Sequence, residues 1–373
     1  ARLADLALLS PDSSGAVEVT GTATGEKTLA LDLVATIPTG RLANKPLADA
    51  RFGFAGTLAE TGTLAGALSG NATLDGNRVS LAGNVTANTT TRRLDGLRLE
   101  AGSTVLAGDV TQDADGMLTG RLNLTAPDVS TAAALLLVDA TGSANADIAL
   151  SASNGTQNAT VTARVSGLSA EGVSVGAADL NAEINDLFGA PRGSFTATGS
   201  GISAAAISDL GITPFRVNAG GSFAGEAVVL SSLSAKGAGG LQLTASGRVP
   251  FDGDGLDLTV DGTAPLALGN RFVADRGGQL SGNATLRATV TGSFSDPRLN
   301  GTVSTAGSSY IDPELNLRLV DITGSASLAG DRVNIDRLTA ALSTGGTVSA
   351  SGSVGISGGN DANIAVRLNS ARY

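Results

Sequence analysis

Apolar residues fall at every second position in one stretch of this chain after another: Leu29/Leu31/Leu33, Leu122/Leu124, Val161/Ala163/Val165, Leu241/Leu243, Leu256/Leu258/Val260, Leu315/Leu317/Leu319 and Ile364/Val366/Leu368. The positions between them are mostly Asp, Thr, Asn, Gln or Arg. A period of two sends successive side chains to opposite faces of a sheet, so the pattern predicts many half-buried strands, each with an aliphatic face and a wet face. The residues expected on the aliphatic face are Leu31, Leu33, Leu122, Leu124, Val161, Leu241, Leu243, Leu256, Leu258, Leu315, Leu317, Leu319, Val333, Ile335, Val366 and Leu368. Dozens of such stripes need a cover, and the sequence offers neither amphipathic helices nor an aromatic-rich second sheet. The sheet therefore either rolls into a narrow dry solenoid or stays open as a trough that accepts an apolar ligand.

Turn chemistry joins the strands locally. Asp75-Gly76-Asn77, Asp115-Gly116, Asn154-Gly155, Asp252-Gly253-Asp254-Gly255 and Gly330-Asp331 each separate alternating stretches, which predicts a meander of hairpins. Two places break the alternation. Asp128 to Thr131 followed by Ala132 to Val138 reads as a capped short helix, and Ser203 to Leu210 before Gly211 reads as another; interruptions are expected at 128–140 and 203–210. Glycines inside strands, such as Gly83, Gly247 and Gly352, permit strong bending. One internal repeat is clear: Val228 to Val249 aligns without gaps on Val333 to Val354 at an offset of 105, with identities that include Leu233/Leu338, Gly240/Gly345, Gly247/Gly352 and Val249/Val354. No Pro- or Ser-rich linker marks a boundary, so residues 1–373 read as one continuous repetitive segment.

Composition narrows the chemistry. The chain of 373 residues has Gly 51, aromatic 3%, no Trp and no Cys, which describes a thin aliphatic interior without disulfides. It has His 0, which removes Ser-His-Asp and Cys-His arrangements and imidazole metal ligands. A net charge of -10 disfavours nucleic acid as a partner. No apolar run reaches the roughly 20 residues of a membrane helix, and two Tyr without Trp do not supply the girdles of a membrane barrel. Because the first residue is Ala1, the segment is expected to be processed or excised, with any anchor upstream.

Candidate sites give way to plainer readings. Asp252-Gly253-Asp254-Gly255 and Asp113-Ala114-Asp115-Gly116 resemble pieces of calcium loops, but no suitably placed Glu follows, and polar hairpin turns are the better reading. Asn-x-Thr triplets begin at Asn71, Asn84, Asn88, Asn123, Asn154, Asn158, Asn283 and Asn300, and are read as the wet face of strands. No pair of carboxylates is singled out for acid–base work. No catalytic residue, metal or cofactor is expected, and the chain is read as not an enzyme.

From about Val290 onward the chain resembles the TamB family, the large subunit of the bacterial translocation and assembly module, which is grouped with AsmA-like and bridge-like lipid transfer proteins. The stretch from Val290-Thr291-Gly292 through Asp296-Pro297-Arg298-Leu299-Asn300-Gly301-Thr302-Val303 is similar to that family's recurring G-x-x-x-x-P-x-L-x-G-x-V step. Pro313-Glu314-Leu315-Asn316-Leu317-Arg318-Leu319-Val320-Asp321-Ile322-Thr323-Gly324 and then Asp331-Arg332-Val333-Asn334-Ile335 resemble the succession that follows it. Asp186-Leu187-Phe188-Gly189-Ala190-Pro191 resembles another joint. The signature is clearest over 290–373.

The resemblance implies a long, strongly curved, mostly antiparallel all-β sheet, a taco-like groove with an aliphatic concave face and one or two short helices. It further implies a periplasmic protein tethered to the bacterial inner membrane by an N-terminal segment not in this chain. Its partners would be phospholipid acyl chains in the groove and a TamA-like outer-membrane barrel, met through a region expected to be absent here. The implied role is in outer-membrane biogenesis, autotransporter assembly and protein secretion. The expectation is thus a non-enzymatic β-groove carrying phospholipid, or apolar protein segments, between inner and outer membrane. The alternative is a closed-core β-solenoid of the passenger or adhesin type.

Overall fold

A computed structural model describes residues 2–3, 13–135, 138–330, 332–355 and 362–370. The protein is all-β, with 74% of residues in strands and 6% in helix, and its antiparallel sheet does not close into a barrel. Contacts divide the chain into two units, Ala1–Gly193 and Ser194–Tyr373, where the sequence carries no visible boundary.

The first unit is a meander of β1 (Arg2–Leu3), β2 (Val17–Thr24), β3 (Thr28–Leu42), β4 (Lys45–Ala59), β5 (Leu64–Leu74), β6 (Asn77–Ala87), β7 (Arg92–Ala101), β8 (Thr104–Gln112), β9 (Leu118–Ala126), β10 (Ala140–Ser153), β11 (Thr156–Ala170) and β12 (Val173–Asn185). Each strand pairs antiparallel with the next. Between β9 and β10 sits α1 (Ser130–Leu135), inside the expected interruption. Residues 136–137 of that stretch lie outside the described residues. Asp128 accepts the Ser130 N–H at 2.9 Å, as the sequence's capping signal predicts. That bond, followed by the Ser130 hydroxyl, holds the Asp128 carboxyl below the usual carboxylate range, so the cap weakens as pH falls through that lowered range.

β13 (Arg192–Ala204) runs into the second unit, which continues with β14 (Phe215–Ala224), β15 (Ala227–Lys236), β16 (Gln242–Pro250), β17 (Asp254–Pro265), β18 (Gln279–Ser281), β19 (Asn283–Ser293), β20 (Pro297–Asp312), β21 (Leu317–Ala329), β22 (Arg332–Leu342), β23 (Thr347–Gly355) and β24 (Ala362–Asn369). From β14 the ladder is again sequential and antiparallel, with β17 pairing β19, while β18 pairs the far end of β20. Four 3-10 segments, Ala205–Leu210, Ala238–Gly240, Leu266–Phe272 and Ala274–Arg276, interrupt the ladder. The first matches the expected break at 203–210, and Gly211 closes it at φ 64°.

The 105-residue repeat is a repeat of register. Val228, Leu230, Leu233 and Ala235 pair with Val249, Gly247, Ala245 and Leu243, and a bulge lies between Leu230 and Leu233. In the second copy Val333, Ile335, Leu338 and Ala340 pair with Val354, Gly352, Ala350 and Val348, with the bulge between Ile335 and Leu338. Each bulge inserts one residue and bends its strand. Gly247 and Gly352 lie next to it at φ 131° and 151°. A Cβ on Gly247 would stand 2.1 Å from the Asp257 carbonyl oxygen, and one on Gly352 would stand 2.0 Å from that of Asn363. The neighbouring strand therefore closes in on these positions. Gly247→Val and Gly352→Val are each expected to cost roughly 2–3 kcal/mol in urea unfolding. Gly155→Ala, at φ 72° with open space around the missing Cβ, should cost only about 1 kcal/mol.

Candidate functional site

Directly opposed residues on neighbouring strands share a face, so the ladder sorts every predicted stripe. In the first unit Leu33 pairs with Phe54, Phe54 with Leu68 and Leu68 with Gly83. Further along, Leu124 pairs with Leu106 and Ala146, Leu122 with Gly108 and Ile148, and Ile148 with Val161. Leu31, Leu33, Leu122, Leu124 and Val161 thus occupy the aliphatic side of their ladders. In the second unit Leu243 pairs with Ala235 and Gly262, Leu258 with Gly247 and Val290, Leu319 with Tyr310 and Leu342, and Val333 with Leu328 and Val354. Leu256, Leu317, Ile335, Val366 and Leu368 fall on the same side of their ladders.

Two predicted residues sit outside strands. Leu241 immediately precedes β16 and is buried, with its carbonyl accepting the Gly237 N–H at 2.9 Å. Leu315 lies in the turn between β20 and β21 and is 45% exposed. The alternation Leu315/Leu317/Leu319 is therefore strand only from Leu317 onward. Asn316 takes φ 46° to close the turn, and Asp312 accepts the Leu315 N–H at 3.1 Å.

This aliphatic side is not sealed. Leu31, Leu33, Leu122, Leu124, Val161, Leu243, Leu258, Leu317 and Leu319 are all half-buried, while Val366 and Leu368 on β24 are 60% and 65% exposed. Among the described residues the fully buried apolar side chains are few and more than half of them are alanines; a clustered core joins Val17, Ile37, Leu47, Ala50 and Ala72 along β2 to β5.

Polar residues at aliphatic register positions behave differently. Gln157 continues the row Ala159/Val161/Ala163 yet is only 2% exposed. Its Oε1 accepts the Leu118 N–H at 2.6 Å, and its Nε2 donates to the carbonyls of Leu118, Ser151 and Asn158 at 2.8, 3.0 and 3.2 Å. Leu118 begins β9 and Gln157 belongs to β11; the β9–β10 pairing ends at Gly120 and Leu150, and the side chain supplies Leu118 with the partners that β10 does not. In the second unit Ser308 and Asp312 on β20 are 1% exposed. The Tyr310 hydroxyl donates to Asp312 at 3.0 Å. Gln157 stands where the alternation calls for an aliphatic residue, whereas Ser308, Tyr310 and Asp312 are out of phase with Leu299 and Val303 and reach the aliphatic side only because the register shifts between Thr305 and Ser308.

The opposite face is wet. Asn71, Asn84, Asn123, Asn158 and Asn300 lie on it, as do the exposed ion pairs Arg98–Glu100 and Arg164–Asp179, each at 2.6 Å. The Ser80 hydroxyl, and then Arg98, hold Glu100 below the usual carboxylate range. Shallow depressions lined by Thr196, Asn218, Ser232 and Thr244, and by Thr285, Ser304 and Thr339, are spaces between rows of hydroxyls. Asp113 accepts the N–H groups of Asp115 and Met117, and Asp252 that of Asp254, so both aspartate-glycine loops spend a carboxylate on their own turn.

No known protein family, no curated protein and no solved structure matches this chain.

Proposed function

We propose that this chain is a non-enzymatic carrier of apolar chains, phospholipid acyl chains first and the apolar strands of client proteins second, along the aliphatic side of its sheet. One observation carries the reading. The ladder gathers the aliphatic stripes of each unit on one side and leaves that side half exposed. Contiguous apolar surface of this kind marks a binding surface. A closed-core solenoid, the rival structural reading, requires those same leucines to be sealed, and their half-exposure weighs against it.

The energetics suit carriage. Each methylene leaving water contributes roughly 0.8 kcal/mol, so two acyl chains gain on the order of 20 kcal/mol gross, similar to what they lose on leaving a bilayer. A nearly level path favours sliding over tight binding, and sliding needs no reacting side chain. The resemblance to the TamB family supplies the proposed setting: the periplasm, an inner-membrane anchor preceding this segment, a TamA-like barrel as partner, and traffic between the two membranes in outer-membrane biogenesis.

Photo-crosslinking separates the faces. A photoreactive amino acid at Leu122 or Leu258 should yield lipid adducts in cells, while one at the neighbouring Asn123 or Thr259 should yield none. Adducts distributed equally over the four positions would remove the carrier reading.

A further inference from the structure

Two of the most exposed apolar side chains of the second unit are phenylalanines on adjoining turns. Phe251, 62% exposed, follows β16, and Phe294, 59% exposed, follows β19. The turns are tied together through the backbone: the Phe251 N–H donates to the Glu226 carbonyl at 2.8 Å, and the Phe294 N–H donates to the Gly253 carbonyl at 3.0 Å. The Phe294 ring also crowds Gly253, where a Cβ would lie 2.6 Å from it. The two turns therefore sit side by side at one end of their strands, with the Phe294 ring over Gly253. The opposite strand ends of this unit are built differently, from the 3-10 segments Ala205–Leu210, Ala238–Gly240 and Leu266–Phe272, which touch one another through the Ala238 N–H to Ile212 carbonyl bond at 2.9 Å and the packing of Leu268 on Gly239.

We infer that the Phe251–Phe294 edge docks on the surface of a zwitterionic lipid bilayer and sets the aliphatic side of this unit against its lipid source. This inference rests on the carrier reading. The chain holds only Phe 9, and two exposed rings on hydrogen-bonded adjoining turns form an apolar patch that a partner can cover. Continuity points to lipid: the strands leading into these turns end their aliphatic rows at Val249 and Val290, so apolar surface runs from the proposed acyl-chain path to the rings. Charge selects the headgroup. Glu226, Asp252 and Asp296 lie in these turns and Asp254 opens β17 beside them, and Arg298 lies 3.9 Å from Asp296. Four carboxylates repel an anionic surface and complement the ammonium groups of phosphatidylethanolamine.

The test is vesicle flotation of the full chain together with the lipid content of the same preparations. Wild-type protein should float with phosphatidylcholine–phosphatidylethanolamine vesicles and less with vesicles containing phosphatidylglycerol. Phe251→Ser/Phe294→Ser should lose about tenfold or more in partitioning, the scale of two buried aromatic side chains, while keeping its β-sheet circular dichroism and its co-purified lipid. Leu42→Ser, an exposed leucine of the first unit, should change nothing. Equal flotation of the double variant, absent flotation of the wild type, stronger flotation on phosphatidylglycerol, or a wild-type dimer that the double variant abolishes would each overturn the docking edge. Loss of co-purified lipid from every variant and from the wild type would instead strike the carrier reading beneath it.

Discussion

Leu258→Arg is expected to fold and to emerge without its lipid. Leu258 stands on the aliphatic side between Gly247, which has no side chain, and Val290. It is half-buried, so an arginine there has room to carry its guanidinium to water along its own methylenes. The cost is the lost burial of part of a leucine, about 1–2 kcal/mol. In a sealed core the same charge would be unpaired and would cost several kcal/mol, enough to unfold that stretch. A charged constriction should also stop acyl chains, so lipid recovered with the protein should fall to a small fraction of the wild-type amount. Thr259→Arg places the same charge one residue away on the wet face and should leave both melting temperature and lipid nearly unchanged. Leu317 is a poorer site for this experiment, because its cross-strand partner is the buried Asp312, which would neutralise an introduced guanidinium.

The largest loss of stability is expected at Gln157. Gln157→Leu matches the aliphatic row around it, yet it removes the partners of the Leu118 N–H and C=O where β9 and β10 part. Two stranded backbone groups make the expected cost roughly 3 kcal/mol, read from urea unfolding with an unchanged slope. Gln157→Glu should be worse at neutral pH, since a carboxylate would face three carbonyl oxygens. That placement raises the carboxyl's folded-state range above its unfolded one. The variant's deficit should accordingly be greatest above the raised range and shrink as pH falls through it. A Gln157→Leu protein as stable as wild type would show that water replaces the amide without loss.

Strand identity, face and hairpin connection were readable from the sequence because each depends on local alternation and on turn residues such as Asp75-Gly76 and Asn154-Gly155. The repeat was readable as a strand, a glycine turn and a second strand at an offset of 105, while its shared bulges at Leu230/Leu233 and Ile335/Leu338 emerge only from the pairing of the strands. Alternation misled at Leu315. It continues the stripe in sequence, but it lies inside the turn that Pro313 opens and the left-handed Asn316 closes. Elsewhere the ladder is broken by contacts that alternation does not carry: the Leu266 N–H donates to the Gly282 carbonyl, and Asn270 accepts the Leu280 N–H at 2.6 Å. Asp312 is hidden by the register shift between Thr305 and Ser308, which local alternation does not carry, and Gln157 by its neighbours. A stripe is recognised by its aliphatic members, so the polar residue that takes a stripe position passes as noise, although it is there that a buried hydrogen-bond network is built.

The central claim is that the aliphatic side is an occupied path and not half of an unfinished core. Organic extraction and mass spectrometry of the purified wild-type chain test it most directly. The carrier account predicts phospholipid in at least stoichiometric amount, depleted in Leu258→Arg and retained in Thr259→Arg. A lipid-free wild-type protein whose Leu258→Arg variant unfolds would contradict it and identify the sheet as a closed structural solenoid.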